Sequence, residues 1–253
     1  MEKLITMDNL RNFAYVNDRI CKKPIRGIML HFPGLGFNLM YSEETQEGMR
    51  YGQEGILYVV PYNNPWNWMN RQSIAVTEEL LELLIAHYGL DAHVPIVSSG
   101  LSMGGLCSLV FCRYAKRTPV ACVSNCPVCD FVFHYTERPD LPRTIYSAFF
   151  HESGTLDEVL RRYSPLHLVP ELPDIPYYIF HCGADAAVNI HTHTEAFVKA
   201  MEQRGARITF EIVSDRGHCD LTQEAVERYH SYAIRAICGN PVKIPKEGII
   251  NDR

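Results

Sequence analysis

A serine, an aspartate and a histidine follow three separate apolar segments of this 253-residue chain. Ser102 lies between glycines in GLSMGG, Asp185 lies in HCGADAAVN, and His218 lies in RGHCD. A serine hydroxyl becomes a useful nucleophile only when a histidine can take its proton, and a carboxylate must orient that imidazole and stabilise its cation. The residue types and their order along the chain therefore indicate a hydrolytic triad.

The elements that must position these side chains form an alternating pattern. Strand-length apolar runs occupy 26–32, 55–60, 94–100, 119–125, 175–182 and 206–213, and helical patterns occupy 71–88, 103–116, 190–204 and 220–237. Such alternation predicts an α/β fold with a mostly parallel sheet and helices on both faces. The three polar residues follow the third, fifth and sixth of these strands, and ligands bind beyond the carboxyl ends of parallel strands. We therefore expect the three side chains to meet at one edge of the sheet.

The glycines on either side of Ser102 have a mechanical role. A sharp reversal from strand to helix forces close contacts, and side chains at Gly100 and Gly104 would obstruct it. The reversal points the amide of Met103 at the space above Ser102, where the helix dipole adds partial positive charge. A second amide, that of Leu35 in HFPGLGFN, is expected from the loop after the first strand. Two such donors would stabilise an oxyanion formed on an acyl carbonyl.

GLSMGG, HCGADAAVN and RGHCD resemble the catalytic motifs of the α/β-hydrolase superfamily. In particular, the chain is similar to the catalytic domain of the prolyl oligopeptidase and dienelactone hydrolase-like group. A Ser-Pro pair, here Ser164-Pro165, often precedes the strand that leads to the acid in that group. Asn189 stands where the acid loop of the group usually has proline. The likeness runs from about Ile25 to the last helix.

The resemblance implies an α/β-hydrolase fold and a role for each site residue. Ser102 would be the nucleophile, His218 the general base and acid, Asp185 the orienting carboxylate, and Met103 and Leu35 the oxyanion donors. No cofactor or metal is implied. The expected reaction is the cleavage of small carboxylic esters through an acyl-enzyme intermediate.

The sequence predicts a single domain, 1–253, with an insertion at about 126–173. The alternation of strands and helices is lost there, and the segment holds six prolines and several aromatic residues. We expect either a small irregular cap over a pocket or a packed helical connection. Phe149 in this segment, together with Trp66 and Trp68 after the second strand, are candidates for lining a substrate pocket, although packing within the loop explains the tryptophans equally well.

Three alternatives concern the acid and the cysteines. Asp130 follows the fourth strand, where some hydrolases place their carboxylate, and is the second candidate for the acid. Cys126 and Cys129 have C-x-x-C spacing, but one pair without a second does not predict a closed zinc site. Cys182 and Cys219 lie in the acid and histidine loops, and a metal shared with this pair, in a metalloprotein built on the cysteines, is a third alternative. The nine cysteines are an odd number, which favours reduced thiols over a disulfide framework.

Composition excludes several classes of partner. A net charge of −5 without a basic run argues against nucleic acid and anionic membranes. No stretch approaches the ~18 consecutive apolar residues of a membrane-spanning helix, and the amino terminus lacks the apolar region of a signal peptide. We therefore expect a cytoplasmic enzyme whose partner is a small acyl ester. A thioesterase and a small aminopeptidase-like amidase would use the same residues, and a non-catalytic ligand-binding member of the fold is the alternative from another class.

Overall fold

The computed structural model describes residues 4–239, which contain one seven-stranded sheet. Its strands are β1 (Ala14–Val16), β2 (Gly27–Phe32), β3 (Ile56–Pro61), β4 (Ile96–Leu101), β5 (Ala121–Asn125), β6 (Tyr177–Cys182) and β7 (Ile208–Val213). Their order across the sheet is β1-β3-β2-β4-β5-β6-β7. Neighbouring strands from β3 to β7 pair in parallel, and β1 is an antiparallel strand at the edge. The predicted mostly parallel sheet is confirmed.

Helices cover both faces of this sheet. They are α1 (Gln46–Gln53), α2 (Arg71–His87), α3 (Met103–Tyr114), α4 (Phe131–Glu137), α5 (Leu141–Phe149), α6 (Leu156–Arg162), α7 (Pro165–Leu168), α8 (Ala196–Gln203) and α9 (Gln223–Cys238). Buried residues of α2, α3 and α8 form one core with the sheet, and those of α1 and α9 form a second core on the other face. None of the described helices is both long enough and apolar enough to cross a bilayer.

The strands and helices predicted from the sequence are present in the structure, with small shifts at their ends. All six predicted strands are present, each beginning one or two residues later than its apolar run. The helical pattern at 190–204 begins as a π-helical turn, His191–Glu195, and continues as α8. The sequence gives no signal for β1, which has only three residues, or for α1, whose glycines at 48 and 52 interrupt its apolar pattern.

The sequence left two alternatives for the segment 126–173, a small irregular cap and a packed helical connection. The segment forms four short helices, α4 to α7, because two of its prolines begin helices instead of breaking them: Pro142 lies in the first turn of α5 and Pro165 begins α7. Buried side chains of these helices, among them Leu141 and Ile145, join the core formed with α2 and α3. The alternative interpretation, a packed helical connection, describes this segment.

Candidate active site

Ser102, His218 and Asp185 form a continuous chain of hydrogen bonds. Each lies just beyond the carboxyl end of a strand, β4, β7 and β6 respectively. Nε2 of His218 lies 2.8 Å from Oγ of Ser102, and Nδ1 lies 2.6 Å from Oδ2 of Asp185. A carboxylate oxygen accepts, so Nδ1 carries the proton and Nε2 is free to accept from the Ser102 hydroxyl. This is the geometry that general-base activation of a serine requires.

The backbone at Ser102 is strained, and its neighbouring glycines permit it. Ser102 has φ 57° and ψ −121°, a combination that residues with side chains rarely adopt. A Cβ atom on Gly100 would overlap the carbonyl group of Gly104, and one on Gly104 would overlap the carbonyl oxygen of Phe32. The prediction that side chains at 100 and 104 would obstruct the turn is confirmed.

Asp185 is held ionised inside the protein. Its side chain is fully buried, and Oδ1 accepts from the amides of Ala187 at 2.8 Å and Val188 at 3.0 Å. Burial raises the pKa of this carboxyl, but hydrogen bonds with His181 and His218 and from the two amides outweigh it and hold the pKa well below its usual range. A negative charge is therefore fixed behind the imidazole.

His218 is influenced by two opposing effects. Burial lowers its pKa, whereas its partners, the Asp185 carboxylate first and then the Cys126 sulfur, raise it. The second effect prevails, so the pKa of His218 lies above its ordinary value. The pair can store a proton on the imidazole, which is what a base must do between the attack and the departure of the leaving group.

His181 supports the acid loop and was not found from the sequence. It is buried at the end of β6, with Nε2 3.2 Å from the carbonyl oxygen of Val188 and 3.4 Å from Oδ2 of Asp185. Because the carbonyl can only accept, Nε2 carries the proton, and Nδ1 accepts from the hydroxyl of Thr194 at 2.7 Å. The only signal was its place at the end of an apolar strand, four residues before the acid.

A second group of polar residues fastens the acid loop to α4. Glu137 accepts from the amide of Asn189 at 3.1 Å and contacts His134 Nδ1 at 2.6 Å and His193 Nε2 at 2.9 Å. Nδ1 of His193 accepts from the amides of Cys129 and Asp130, so its Nε2 carries the proton that Glu137 receives. A metal would need that nitrogen without its proton. The cluster is therefore a hydrogen-bond network and not a metal site.

The two predicted oxyanion donors flank Ser102. Met103 is the first residue of α3, directly after the nucleophile. The loop that contains Leu35 lies against Ser102, since a Cβ atom on Gly34 would be 3.7 Å from the Cβ of Ser102. Met103 is thus adjacent to the nucleophile and the loop of Leu35 lies against it, while the role of the two amides as oxyanion donors stays a prediction.

A cavity of about 460 Å³ opens beside this chain of residues. Gly34, Leu101, Asn125 and Cys219 border it next to Ser102. Its aromatic walls are Phe37, Tyr41, Tyr51, Tyr58 and Tyr229, which come from α1, α9, β3 and the loop after β2. Among the described residues, none of the segment 126–173 lines it. A larger concavity, of about 620 Å³, is lined by residues that precede β2 and β4, at the opposite end of the sheet from Ser102.

The predicted pocket residues lie elsewhere. Trp66 is exposed, whereas Trp68 is 1% exposed, packs against Phe131 and donates from its indole nitrogen to Oγ1 of Thr144 at 3.2 Å. Phe149 is buried and also packs against Phe131. The interpretation of Trp68 and Phe149 as pocket residues is corrected: both are core residues, because large aromatic side chains gain most from full burial.

Within residues 4–239, neither the alternative acid, Asp130, nor the C-x-x-C pair has the contacts that its alternative role would require. The carboxylate of Asp130 accepts from the amide of Phe133 at 3.0 Å and caps the amino terminus of α4, while the acid that contacts His218 is Asp185. Cys126 and Cys129 have different hydrogen-bond partners: Sγ of Cys126 accepts from the amides of Cys182 and Cys219, and Sγ of Cys129 donates to the carbonyl oxygen of Pro127. Among the described residues, the groups that could hold a cation include Cys126 but not Cys129.

Solved structures share this fold at low sequence identity. Acylaminoacyl peptidase from Pyrococcus horikoshii aligns with 85% of this chain at 13% identity and a TM-score of 0.67, and the chain covers 37% of that protein. The esterase Est2 from Thermogutta terrifontis aligns at 18% identity, covering 87% of this chain and 84% of its own, with a TM-score of 0.60. S-formylglutathione hydrolase from Agrobacterium tumefaciens gives 16% identity, 88% and 84% coverage, and a TM-score of 0.62. The chain thus spans well under half of the peptidase and most of the other two proteins, and the α/β-hydrolase fold is confirmed.

The family follows from the sequence itself. No curated protein matches the chain. The family model described as the prolyl oligopeptidase family matches residues 62–236, which is more than half of the chain and includes Ser102, Asp185 and His218. The chain therefore belongs to the prolyl oligopeptidase family of serine hydrolases.

Proposed function

We propose that this protein is a carboxylesterase that cleaves small carboxylic esters through an acyl-enzyme on Ser102. The observation that supports this most strongly is the hydrogen-bonded chain Ser102–His218–Asp185, with distances of 2.8 and 2.6 Å. All three residues lie inside the segment that matches the family. No cofactor is needed for this chemistry, because the nucleophile, the base and the acid belong to the chain.

The first half of the reaction forms the acyl-enzyme. Oγ of Ser102 attacks the ester carbonyl carbon as its proton passes to Nε2 of His218, and the imidazolium is stabilised by the buried Asp185 carboxylate. The carbonyl oxygen becomes an oxyanion that accepts from the amides of Met103 and Leu35. The tetrahedral intermediate collapses, the C–O bond to the alcohol breaks, and the alcohol leaves with the proton held by His218.

The second half repeats these steps with water. His218 takes a proton from a water molecule, and the resulting hydroxide attacks the acyl carbon. The bond to Oγ of Ser102 breaks, the serine recovers its proton from His218, and the carboxylic acid departs. The enzyme returns to its starting protonation state.

The cavity favours a substrate of modest size. A volume of about 460 Å³ with aromatic walls suits a small apolar acyl or alcohol group. The chain covers most of the length of the esterase Est2 and of S-formylglutathione hydrolase, but only 37% of the acylaminoacyl peptidase. An amidase is the second candidate, because the matching family is the prolyl oligopeptidase family and the carboxylate of Glu47 in the cavity could pair with a substrate ammonium.

The test compares wild type with Ser102→Ala, using Ser147→Ala on the exposed face of α5 as a matched control. Wild type and the control should hydrolyse p-nitrophenyl acetate and butyrate and react with a fluorophosphonate probe at Ser102, located by peptide mass spectrometry. The Ser102→Ala protein should do neither while keeping its circular dichroism spectrum. Undiminished turnover by folded Ser102→Ala would refute the proposal, and faster cleavage of aminoacyl p-nitroanilides than of esters would favour the amidase.

A further inference from the structure

A thiol pair lies against the candidate catalytic histidine. Sγ of Cys126, Sγ of Cys219 and a ring nitrogen of His218 all lie within 4.8 Å of one another. Cys126 follows β5, and Cys219 follows His218 in the loop after β7. Both cysteines have left-handed backbones, with φ 45° and 60°, which residues with side chains adopt only where the surroundings hold them. Each cysteine thus has an unfavourable backbone conformation, and the two sulfur atoms lie close together beside His218.

The sulfur of Cys126 is already surrounded by donors. It accepts from the backbone amides of Cys182 and Cys219, each at 3.4 Å. Hydrogen bonds from amides favour the negatively charged form of the group that accepts them. Sulfur ligands of metal ions must be thiolates. The neighbouring Cys219 and burial raise the pKa of the Cys126 thiol, so the bound ion itself must displace the proton, and the two amides then donate to the metal-bound sulfur.

The separation of Cys219 from His218 suits a tetrahedral ion. Sγ of Cys219 lies 3.6 Å from Nε2 of His218. With Zn–S near 2.3 Å and Zn–N near 2.0–2.1 Å, a sulfur and a nitrogen on one tetrahedral zinc ion are separated by roughly 3.6 Å. Nδ1 of His218 donates to Asp185, which is the carboxylate–histidine arrangement that supports zinc ligands and leaves Nε2 without a proton.

We propose that Cys126, His218 and Cys219 form an inhibitory site for a thiophilic divalent cation such as Zn²⁺. The ion would occupy the Nε2 lone pair that must accept the Ser102 proton, so metal binding and ester hydrolysis compete for one nitrogen. Each thiol gives its proton to solvent as its sulfur–metal bond forms, and no electron is transferred. Cys219 is partly exposed and lines the cavity, which gives the ion a path to the buried Cys126.

The inhibitory effect rests on the proposed esterase function, but metal binding does not. Binding is therefore measured first, on reduced, metal-free Ser102→Ala protein under anaerobic conditions. Titration with Co²⁺ should produce a thiolate-to-metal charge-transfer band that Zn²⁺ removes, and calorimetry should give one Zn²⁺ per chain. Cys126→Ser and Cys219→Ser each remove one of the two thiolates and should weaken the band. They should also bind Zn²⁺ more weakly, by at least the ~10- to 100-fold that loss of a residue supporting a metal ligand causes. Cys238→Ser, which changes a partly exposed cysteine outside the cluster, should bind as Ser102→Ala does.

Inhibition is then measured on the active enzyme with p-nitrophenyl acetate. Zn²⁺ should inhibit at the concentrations at which it binds, EDTA should reverse the effect, and Cys219→Ser should lose this sensitivity whatever its basal rate. Zinc binding that is unchanged by both cysteine substitutions, or zinc inhibition that persists in them, would overturn the proposal. Zinc bound by the cysteines in a protein without esterase activity would contradict the proposed function alone, and an active esterase that binds no zinc would contradict the metal site alone.

Discussion

Replacing Asp185 with asparagine separates the fold of the acid loop from its proposed catalytic role. Asparagine keeps the oxygen that accepts from the amides of Ala187 and Val188. The second oxygen, which lies 2.6 Å from Nδ1 of His218, becomes an NH₂ group and therefore a donor. His218 must then accept at Nδ1 and carry its proton on Nε2, which faces Ser102. The loop should stay folded while the base is lost.

The expected loss follows from two contributions. A charge-assisted hydrogen bond to a fully buried carboxylate contributes about 1.5–3 kcal/mol to the imidazolium that forms in the transition state. The wrong tautomer of His218 adds the rest, because the ring can no longer take the serine proton. The same change in Ser-His-Asp hydrolases lowers kcat by roughly 10⁴-fold, which corresponds to about 5.4 kcal/mol.

The assay measures kcat for p-nitrophenyl acetate in wild type, Asp185→Asn and Asp130→Asn. Asp130 is the matched control, because it also follows a strand and its carboxylate caps α4, a role that asparagine fills equally well. We expect Asp130→Asn to keep the wild-type kcat. A loss of less than about tenfold in folded Asp185→Asn, or an equal loss in both variants, would refute the assignment of the acid.

The same pair of residues predicts the pH dependence of kcat/KM. His218 must be neutral to accept a proton, and the hydrogen bond to Asp185 raises its pKa above the ordinary 6.5 despite the opposing effect of burial. Activity should therefore rise with pH through that elevated pKa. In Asp185→Asn the carboxylate is lost while burial remains, so the residual acid limb should move to lower pH. An acid limb that stays in place would show that another group controls it.

Two further predictions concern the supports of the site and are measured by urea unfolding. Gly104→Ala should lower the free energy of unfolding by at least about 3 kcal/mol, because its Cβ would overlap the carbonyl oxygen of Phe32. The control, Gly217→Ala, has nothing near its Cβ and should change the free energy of unfolding by less than about 0.5 kcal/mol. Similar losses in both variants would contradict the steric argument. Glu137→Gln should lower the free energy of unfolding by about 1–3 kcal/mol, because the NH₂ group that replaces one carboxylate oxygen cannot accept from the histidine partners, among them His193. An unchanged free energy of unfolding would mean that the network adds nothing to stability.

The sheet was predictable because its central strands are buried on both faces. β3 is a continuous apolar run, and β2, β4 and β6 are mostly apolar and buried along almost their whole length, which is the pattern typical of a central parallel strand. Once the strands are known, the carboxyl ends of β4, β6 and β7 must meet at one edge, and Ser102, Asp185 and His218 follow those ends. Position after a strand therefore predicted the proximity of three residues that are far apart in the chain.

The walls of the cavity were not predictable in this way. Tyr51 lies on α1, a helix with two glycines, and Tyr229 lies on α9 on the same face of the sheet. Their contribution depends on how these helices pack and not on a local pattern. Trp68 shows the converse, because it is near the active-site end of the sheet in sequence but turns into the core against Phe131, which belongs to a distant segment.

The cysteines show which kind of sequence evidence predicts a site in this fold. Spacing along the chain pairs Cys126 with Cys129, but the left-handed backbone at Cys126 helps to place its sulfur near Cys219 instead. Position after a strand gives the correct partner, because β5, β6 and β7 are neighbours and Cys126 and Cys219 follow the first and the last of them. That rule, which brings His218 to Ser102, also brings both thiols to His218. In the proposed enzyme, thiols at these two positions therefore place a soft-metal site on the catalytic base. Nε2 of His218 is needed both to bind the metal and to accept the Ser102 proton.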